Sequence, residues 1–470
     1  MKKILLTLGA ILFICISTFA QLGTIDPNFN LGSGFGPDIW TGKCETVKQQ
    51  QNGKLLVGGS FKTYDDNEAL YIIRLNLDGT RDNGFTSPFT EKWGASINHI
   101  EVLSDGKILV GGVFLESNDE SLPGIIRLNS DGSIDQSFTA PSSVTGVSTF
   151  AVQADGKVVL GNLIRLNADG TLDNSFDAGT GISGGTGFGG VRINTMLVQP
   201  DGKILIGGHY GSYNGTTSVL ITRLNSDGTI DNSFDASANF STAMDGFYGQ
   251  VYTMKLLPDG KIMIGGNYGN NNSLAFGVDR LNSDGSLDTS FAITHSFSNI
   301  RNYVIDVQSD GKIFVANQNF GAPSEAFVVE RYNTDGSLDA IFPKKYVNND
   351  IKDLIIQADG NITFVGYFNY NPTGIMRLIG DTPLSTSVIE NTSLQFNIFP
   401  NPTNGILNIE NIPDNSDLRV IDIFGRTILF QKSAANTFNT LDVSTLIDGT
   451  YFLQIDHNGN VSNKKFIVSK

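Results

Sequence analysis

The sequence, 470 residues long, is short of cysteine, histidine and positive charge. It has two cysteines, and Cys15 falls in an apolar leader. Cys44, left alone, cannot form an internal disulfide, so stability must come from packing and Cys44 reads as a small buried apolar residue. Lysine and arginine number 32 against 47 aspartates and glutamates, a net charge of −15. No basic stripe is present to meet phosphates, which excludes a nucleic-acid partner and disfavours an anionic membrane surface. The four histidines, His99, His209, His295 and His457, are scattered, and neither H-E-x-x-H nor G-x-S-x-G occurs. A G-x-G-x-x-G pattern lies between Gly179 and Gly190, but it joins two repeats and no helix follows, so it fails as a dinucleotide site. Asp65-Asp66 and Asp119-Glu120 read as solvated loop charges. No cofactor or metal is expected.

The leader has Lys2 and Lys3, an apolar run from Ile4 to Ile16, and a small-x-small site at Thr18-Phe19-Ala20. That is a signal peptide over residues 1–20. No later stretch is apolar and long enough to span a bilayer, so no transmembrane segment is expected after its removal.

What the chain has is glycine, 53 of them, and a repeat. One anchor, D-G-K or a variant before an apolar run, starts at Asn52, Asp105, Asp155, Asp201, Asp259, Asp310 and Asp359. A second, R-L-N or a variant, starts at Arg74, Arg127, Arg165, Arg223, Arg280, Arg331 and Arg377. The first six are followed by D-G-[TS]-x-D-x-x-F or a close variant, ending at Phe85, Phe138, Phe176, Phe234, Phe291 and Phe342. The seventh tail is missing after Arg377, and an orphan tail, "GTIDPNF", stands at Gly23–Phe29. An open stack gains little from this permutation; a ring gains a strand that completes its last sheet. The spacing of about fifty residues also suits propeller repeats. The fold expected is all-β: a seven-bladed β-propeller over 21–380 closed by the N-terminal strand, a linker over 381–395, and a small β-sandwich over 396–470.

Each unit is expected to supply four antiparallel strands, with Asp-Gly turns joining one to two and three to four. A three-residue hairpin loop places each arginine opposite an aspartate: Arg74 with Asp82, Arg127 with Asp135, Arg165 with Asp173, Arg223 with Asp231, Arg280 with Asp288, Arg331 with Asp339, and Arg377 with Asp26 across the closure. Recurrence in every unit makes the pair structural, since an active site is normally unique. The turns lack the spacing and the Glu of an EF-hand loop. The Gly-Gly pairs after strand two permit a bulge or close blade packing. The third unit is shorter, with Gly161-Asn162 as a two-residue turn and one edge of the disc cut back.

Uniform Asp-Gly turns fall on one face of the ring and variable loops on the other, where binding resides on rigid scaffolds. The aromatics of those loops, Tyr64, Trp93, Tyr210, Tyr213, Tyr248, Tyr268, Tyr367 and Tyr370, are the candidate ligand-binding residues for a glycan or a surface protein. No catalytic residue is singled out; an enzyme acting on polysaccharide is the rival reading.

The repeating unit resembles the delta-60 repeat of bacterial secreted proteins, a family that implies no defined ligand. The C-terminal text resembles the type A sorting domain of type IX secretion, through Pro400, Asn401 and Pro402, then Gly425 and Arg426, Gly449 and Tyr451, and the basic end at Lys464 and Lys465. That resemblance implies engagement with the type IX secretion machinery, passage across the outer membrane, and release or attachment at the cell surface.

Overall fold

The structure is a computed structural model. It describes residues 22–36, 43–91, 94–114, 122–184, 190–218, 220–237, 240, 243–244, 247–270, 273–293, 303–318, 326–348, 350–367, 374–381, 396–412, 416–421, 427–432, 439–457 and 460–470. Residues 1–20, expected to be a signal peptide, and nearly all of the expected linker over 381–395 lie outside this set. The chain divides into two compact units, 1–383 and 384–470.

The first unit is a seven-bladed β-propeller. Blade two shows the pattern: Ser96–Val102, Ile108–Val113 and Ile125–Leu128 form an antiparallel sheet in that order. The fourth strand expected of every blade shrinks to one bridge, Leu128 to Ile134. The chain turns away there because Asp135 accepts Ser137 N through Oδ1 at 3.0 Å and Phe138 N through its carbonyl at 3.1 Å. Among the described residues only blade six gains a full fourth strand, Lys345–Asn348 on Ala326–Tyr332.

The Gly-Gly pairs do two separate jobs. In five blades the first strand carries a bulge, opposite Gly59, Gly112, Gly208, Gly266 and Gly366. A methyl on any of these would meet a carbonyl of the bulged strand at 1.9–2.3 Å. The preceding glycines face the next blade: a methyl on Gly58, Gly111 or Gly207 would lie 2.7–3.1 Å from Ile97, Phe150 or Met254 respectively. Blade six has Ala316-Asn317 instead, and there the ladder is regular.

Successive blades are tied by one recurring cluster. Each arginine donates to the aspartate opposite it at 2.5–2.9 Å. In blades one to six the lysine of the D-G-K turn donates to the same carboxylate at 2.8–3.0 Å. The guanidinium lies over the tail phenylalanine, 4.1–5.1 Å from the ring centroid, a contact that adds about 0.5–2 kcal/mol. Its Nη1 then reaches the next blade. Arg127 donates to Ala168 O at 2.7 Å, Arg223 to Ser283 O at 2.6 Å and Arg280 to Thr334 O at 2.8 Å, and Arg74 and Arg165 do the same to Ser130 and Ser226. Arg331 meets the Asp381 carboxylate, which stands at the turn position of blade seven. Arg377 donates to Leu77 O of blade one at 2.6 Å.

That last contact closes the circle. Ile25 bridges Leu378, and Asp26 N and Ile379 N donate to Arg377 O and Thr24 O at 3.0 and 2.9 Å. On the innermost strands Asp353 of blade seven accepts Val47 N and Thr46 Oγ1 of blade one at 3.0 and 3.1 Å.

The second unit packs a three-stranded sheet against a four-stranded one, over a core that includes Phe396, Leu407, Leu418, Val420, Leu453 and Phe466.

Two outcomes follow from this packing. Gly106 and Gly132 both have left-handed backbone, φ 83° and 94°, but a methyl on Gly106 meets nothing within 4 Å, whereas one on Gly132 falls 2.1 Å from Thr86 O of the preceding blade. Gly106→Ala should cost about 1–2 kcal/mol, and Gly132→Ala more than about 3 kcal/mol, read by thermal or urea denaturation. The second outcome concerns acid. Burial would raise the Asp82 carboxyl, but hydrogen bonds from Lys54, Gly84 N and Arg74 outweigh it and hold it at about 2. Asp135, Asp173, Asp231 and Asp288 are likewise held well below the usual carboxylate range. A carboxyl more acidic folded than unfolded contributes fully above its unfolded value of about 4 and loses that contribution as pH falls through its folded value. Stability against urea should therefore fall between about pH 4 and pH 2, and Asp135→Asn should make that fall shallower.

Candidate functional site

Four of the eight candidate aromatics are enclosed rather than displayed. Tyr64, Tyr210, Tyr213 and Tyr268 are 0–2 % exposed. The loops expected to display them fold back instead. In blades one and four a short hairpin joins the second and third strands, Thr63–Tyr64 with Asn67–Glu68 and Ser212–Tyr213 with Thr216–Thr217. Their turn residues, Asp65-Asp66 and Asn214-Gly215, all have positive φ, the primed-turn geometry of tight hairpins. The incoming chain then adds to each hairpin, Phe35 bridging Tyr64 and Ile182–Ser183 pairing with Ser212–Tyr213. Enclosed in this way, Tyr64 and Tyr213 donate to the carbonyls of Gly79 and Gly228 in their own blade's Asp-Gly turn. Tyr210 donates to Ile206 O at 2.9 Å, and Tyr268 packs edge-on against Phe240. Trp93 and Tyr370, and the side chain of Tyr248, lie outside the described residues.

Tyr367 is the exception, half-buried at the variable-face end of the seam between blades seven and one. Its hydroxyl donates to Glu45 Oε1, and the Lys43 and Lys352 ammonium groups sit 5.0 and 4.6 Å from its ring centroid. Burial pushes Tyr367 up, reinforced by Glu45. Burial also raises Glu45, against the opposing pull of Tyr367, Lys352 and Lys43. Glu45 is the extra residue of a bulge; the same place holds Asn98, Asn194, Tyr252 and Lys352 in blades two, four, five and seven. The acid therefore belongs to one seam. Neighbouring Cys44 is fully buried, which raises its thiol and keeps it unreactive. No group of three or more metal-binding side chains occurs among the described residues.

Blade three is open where blades one and four are filled. Its second and third strands are joined by residues 161–163 alone, a three-residue loop rather than the two-residue turn expected. Leu160 N donates to Ile164 O, and Leu163 takes left-handed backbone at φ 62°. With no hairpin there, a cavity of about 490 Å³ opens on the variable-loop face. Its lining comes from the connections around blade three and the start of blade four, including Ser148, Asn162, Leu163, Thr180 and Arg192.

In the second unit Pro400 and Pro402 both follow cis peptide bonds. Asn401 between them is sewn to the last strand: its Oδ1 accepts Ile467 N at 2.9 Å and its Nδ2 donates to Lys465 O at 3.1 Å. Tyr451 stacks on Phe466, Gly449 starts the strand that carries it, and Lys464 lies over Phe396. Lys465 is exposed. Gly425 and Arg426 lie outside the described residues.

Comparison with known families accords with both units. A domain-of-unknown-function β-propeller family, DUF5122, matches residues 50–85, 103–138, 153–176, 199–234, 257–291 and 308–342. A secretion system C-terminal sorting domain matches residues 397–469. The chain carries a DUF5122 β-propeller and a type IX sorting domain. The sorting domain marks the protein for export by type IX secretion to the cell surface or the extracellular space. The six matched repeats of the propeller end before the seventh blade, which the structure builds from 351–378 and the N-terminal tail.

No curated protein matches the sequence significantly. Among solved structures, the chain is similar to PorZ, a surface component of the type IX secretion system of Porphyromonas gingivalis. The identity is 12%, with 90% of this chain and 65% of that one covered, at a TM-score of 0.36. It is also similar to a PL25 polysaccharide lyase, an ulvan lyase, at 12% identity over 75% of this chain and 95% of that one, with a TM-score of 0.38. Likenesses this distant carry no functional argument.

The buried tyrosines give a direct check. Tyr213→Phe removes one hydrogen bond and should cost about 1 kcal/mol, and Tyr213→Ala about 3–5 kcal/mol, both read as lowered denaturation midpoints.

Proposed function

We propose that the protein is a secreted or cell-surface scaffold whose propeller binds a glycan or a protein through its variable-loop face. The difference between the two faces of the ring carries this reading. On the uniform face the Asp-Gly turns are occupied in holding themselves and their neighbours. Asp131 accepts Ser133 N and Oγ, while its carbonyl receives Thr86 N of the preceding blade. On the other face the connections differ from blade to blade, and one blade leaves a cavity. Variable loops on a rigid frame are where recognition is found.

A secreted enzyme acting on polysaccharide, a hydrolase or lyase, is the second reading, and the Glu45–Tyr367 pair favours it. A catalytic acid or base works best with a pKa near the operating pH. Glu45 is shifted the way a general acid requires, whereas Tyr367 is shifted away from use as a base. Each also takes up the other's hydrogen-bonding capacity, so binding remains the first reading.

Glycan and peptide arrays probed with the full mature protein, alongside polysaccharide turnover assays, separate the two. Array binding without turnover is expected. Turnover that disappears in Tyr367→Phe and Glu45→Gln, with unchanged melting curves, would replace the scaffold with an enzyme.

A further inference from the structure

We propose that the outer face of the four-stranded sheet in the second unit is the surface by which the secretion machinery grips the sorting domain. Its partner is a protein surface that is apolar at the centre and presents a carboxylate to Lys465. The inference is independent of what the propeller binds. A two-layer sandwich needs apolar residues on one face of each sheet, and the solvated face of an antiparallel sheet is normally polar. In sheet order the strands are Thr427–Lys432, Asp417–Ile421, Gly449–His457 and Asn460–Val468. Their inward residues Leu418, Val420, Leu453, Ile455, Phe466 and Val468 are 0–1 % exposed and belong to the core. Side chains alternate along a strand, so Ile421, Phe452 and Ile467 point the other way. On the edge strand Leu429 packs on the core, while Ile428 and Phe430 stand out, 42 % and 56 % exposed. The face that solvent should cover is therefore also apolar.

Register gathers these residues into neighbouring rows. Ile421 pairs with Phe452, and Phe452 with Lys465. Beside them Phe430 pairs with Arg419, and the Arg419 guanidinium lies 5.8 Å from the Phe430 ring centroid. Asp417, at the end of the face, is shared by Arg419 and Lys432 at 3.6 and 3.5 Å. Lys465 is exposed beside Phe452 and has no ion-pair partner among the described residues. An unpaired cation next to an apolar patch favours a partner with an acid on its rim. The two edges of the sheet also differ. Thr403 covers one, bridging Val468 and donating to Ile467 O at 2.8 Å. The other is the strand with Ile428 and Phe430, and among the described residues no strand lies beyond it. An apolar face running to an open edge marks a site of association. The occupant follows from the family match. Residues 397–469 match a sorting domain that marks the chain for type IX export, so a protein of that machinery must recognise this unit.

Export of the full chain from a bacterium that has type IX secretion tests the assignment. The readout is the fraction reaching the medium and cell surface against the fraction left in the periplasm. Combined Phe430→Ser, Phe452→Thr and Ile467→Thr should lower the exported fraction about tenfold or more, while the melting curve of the purified chain stays unchanged. Phe430→Ser alone should lower export, and Phe430→Leu, which keeps the apolar surface, should not. Lys465→Glu should lower export, and Lys465→Arg should leave it intact. If the triple variant fails to fold, Phe430→Ser and Lys465→Glu decide, and normal export of both overturns the proposal. Normal export with a lowered melting temperature would make the face a packing surface within the chain. A purified chain that dimerises through this face, with export intact in variants that no longer dimerise, would make it a contact between copies. Either result also overturns the proposal. Array binding by the purified protein should be the same in all these variants, so this proposal and the scaffold reading fail separately.

Discussion

The propeller depends on a guanidinium that needs two blades to be satisfied. Each repeat arginine is 1–13 % exposed at its side chain and meets an aspartate of its own hairpin. One nitrogen then extends to a turn of the following blade, as from Arg127 to Ala168 O. A buried charge left without its partners costs about 3–5 kcal/mol. In an open row of sheets the last arginine would lose its neighbour. In this ring it does not, because Arg377 finds Asp26 and Phe29 from the N-terminal tail and Leu77 O from blade one. Closure and satisfaction of these arginines are the same requirement.

The same economy explains the two faces. Lysine, aspartate, arginine and phenylalanine of blades one to six, and the same set without the lysine in blade seven, converge beneath the Asp-Gly turns, which leaves that side uniform and committed to structure. The opposite side is constrained only by the bulges at the starts of the first strands and by whatever connects second strand to third. Blades one and four fill that connection with a tyrosine-centred hairpin, and blade three omits it. A ring with identical anchoring can thus present a different surface over each blade.

The permuted tail, the repeat and the offset of eight between Arg127 and Asp135 could all be read from the sequence, because they are local or periodic. Lys107, lying 28 residues before Asp135, could not, since its partner is fixed only once the second strand packs beside the third. The reach of Arg127 to Ala168 lies wholly between blades and leaves no local trace. Tyr64 and Tyr213 are buried against the sequence expectation for a physical reason: polar neighbours suggest exposure, but a primed turn folds the hairpin back and buries the ring. The shortness of blade three was visible in the spacing between Leu160 and Arg165, yet the cavity it leaves depends on chain arriving from blades two and four.

Amide hydrogen exchange across the closing seam tests ring closure most directly. The amides of Asp26 and Ile379 bond across it, to Arg377 O and Thr24 O. They should exchange as slowly as those of the central strands, and removal of residues 21–30 should release Ile379 and lower the melting temperature of the whole propeller. Fast exchange at these two amides in the intact protein, or a truncated protein that melts unchanged, would contradict the account.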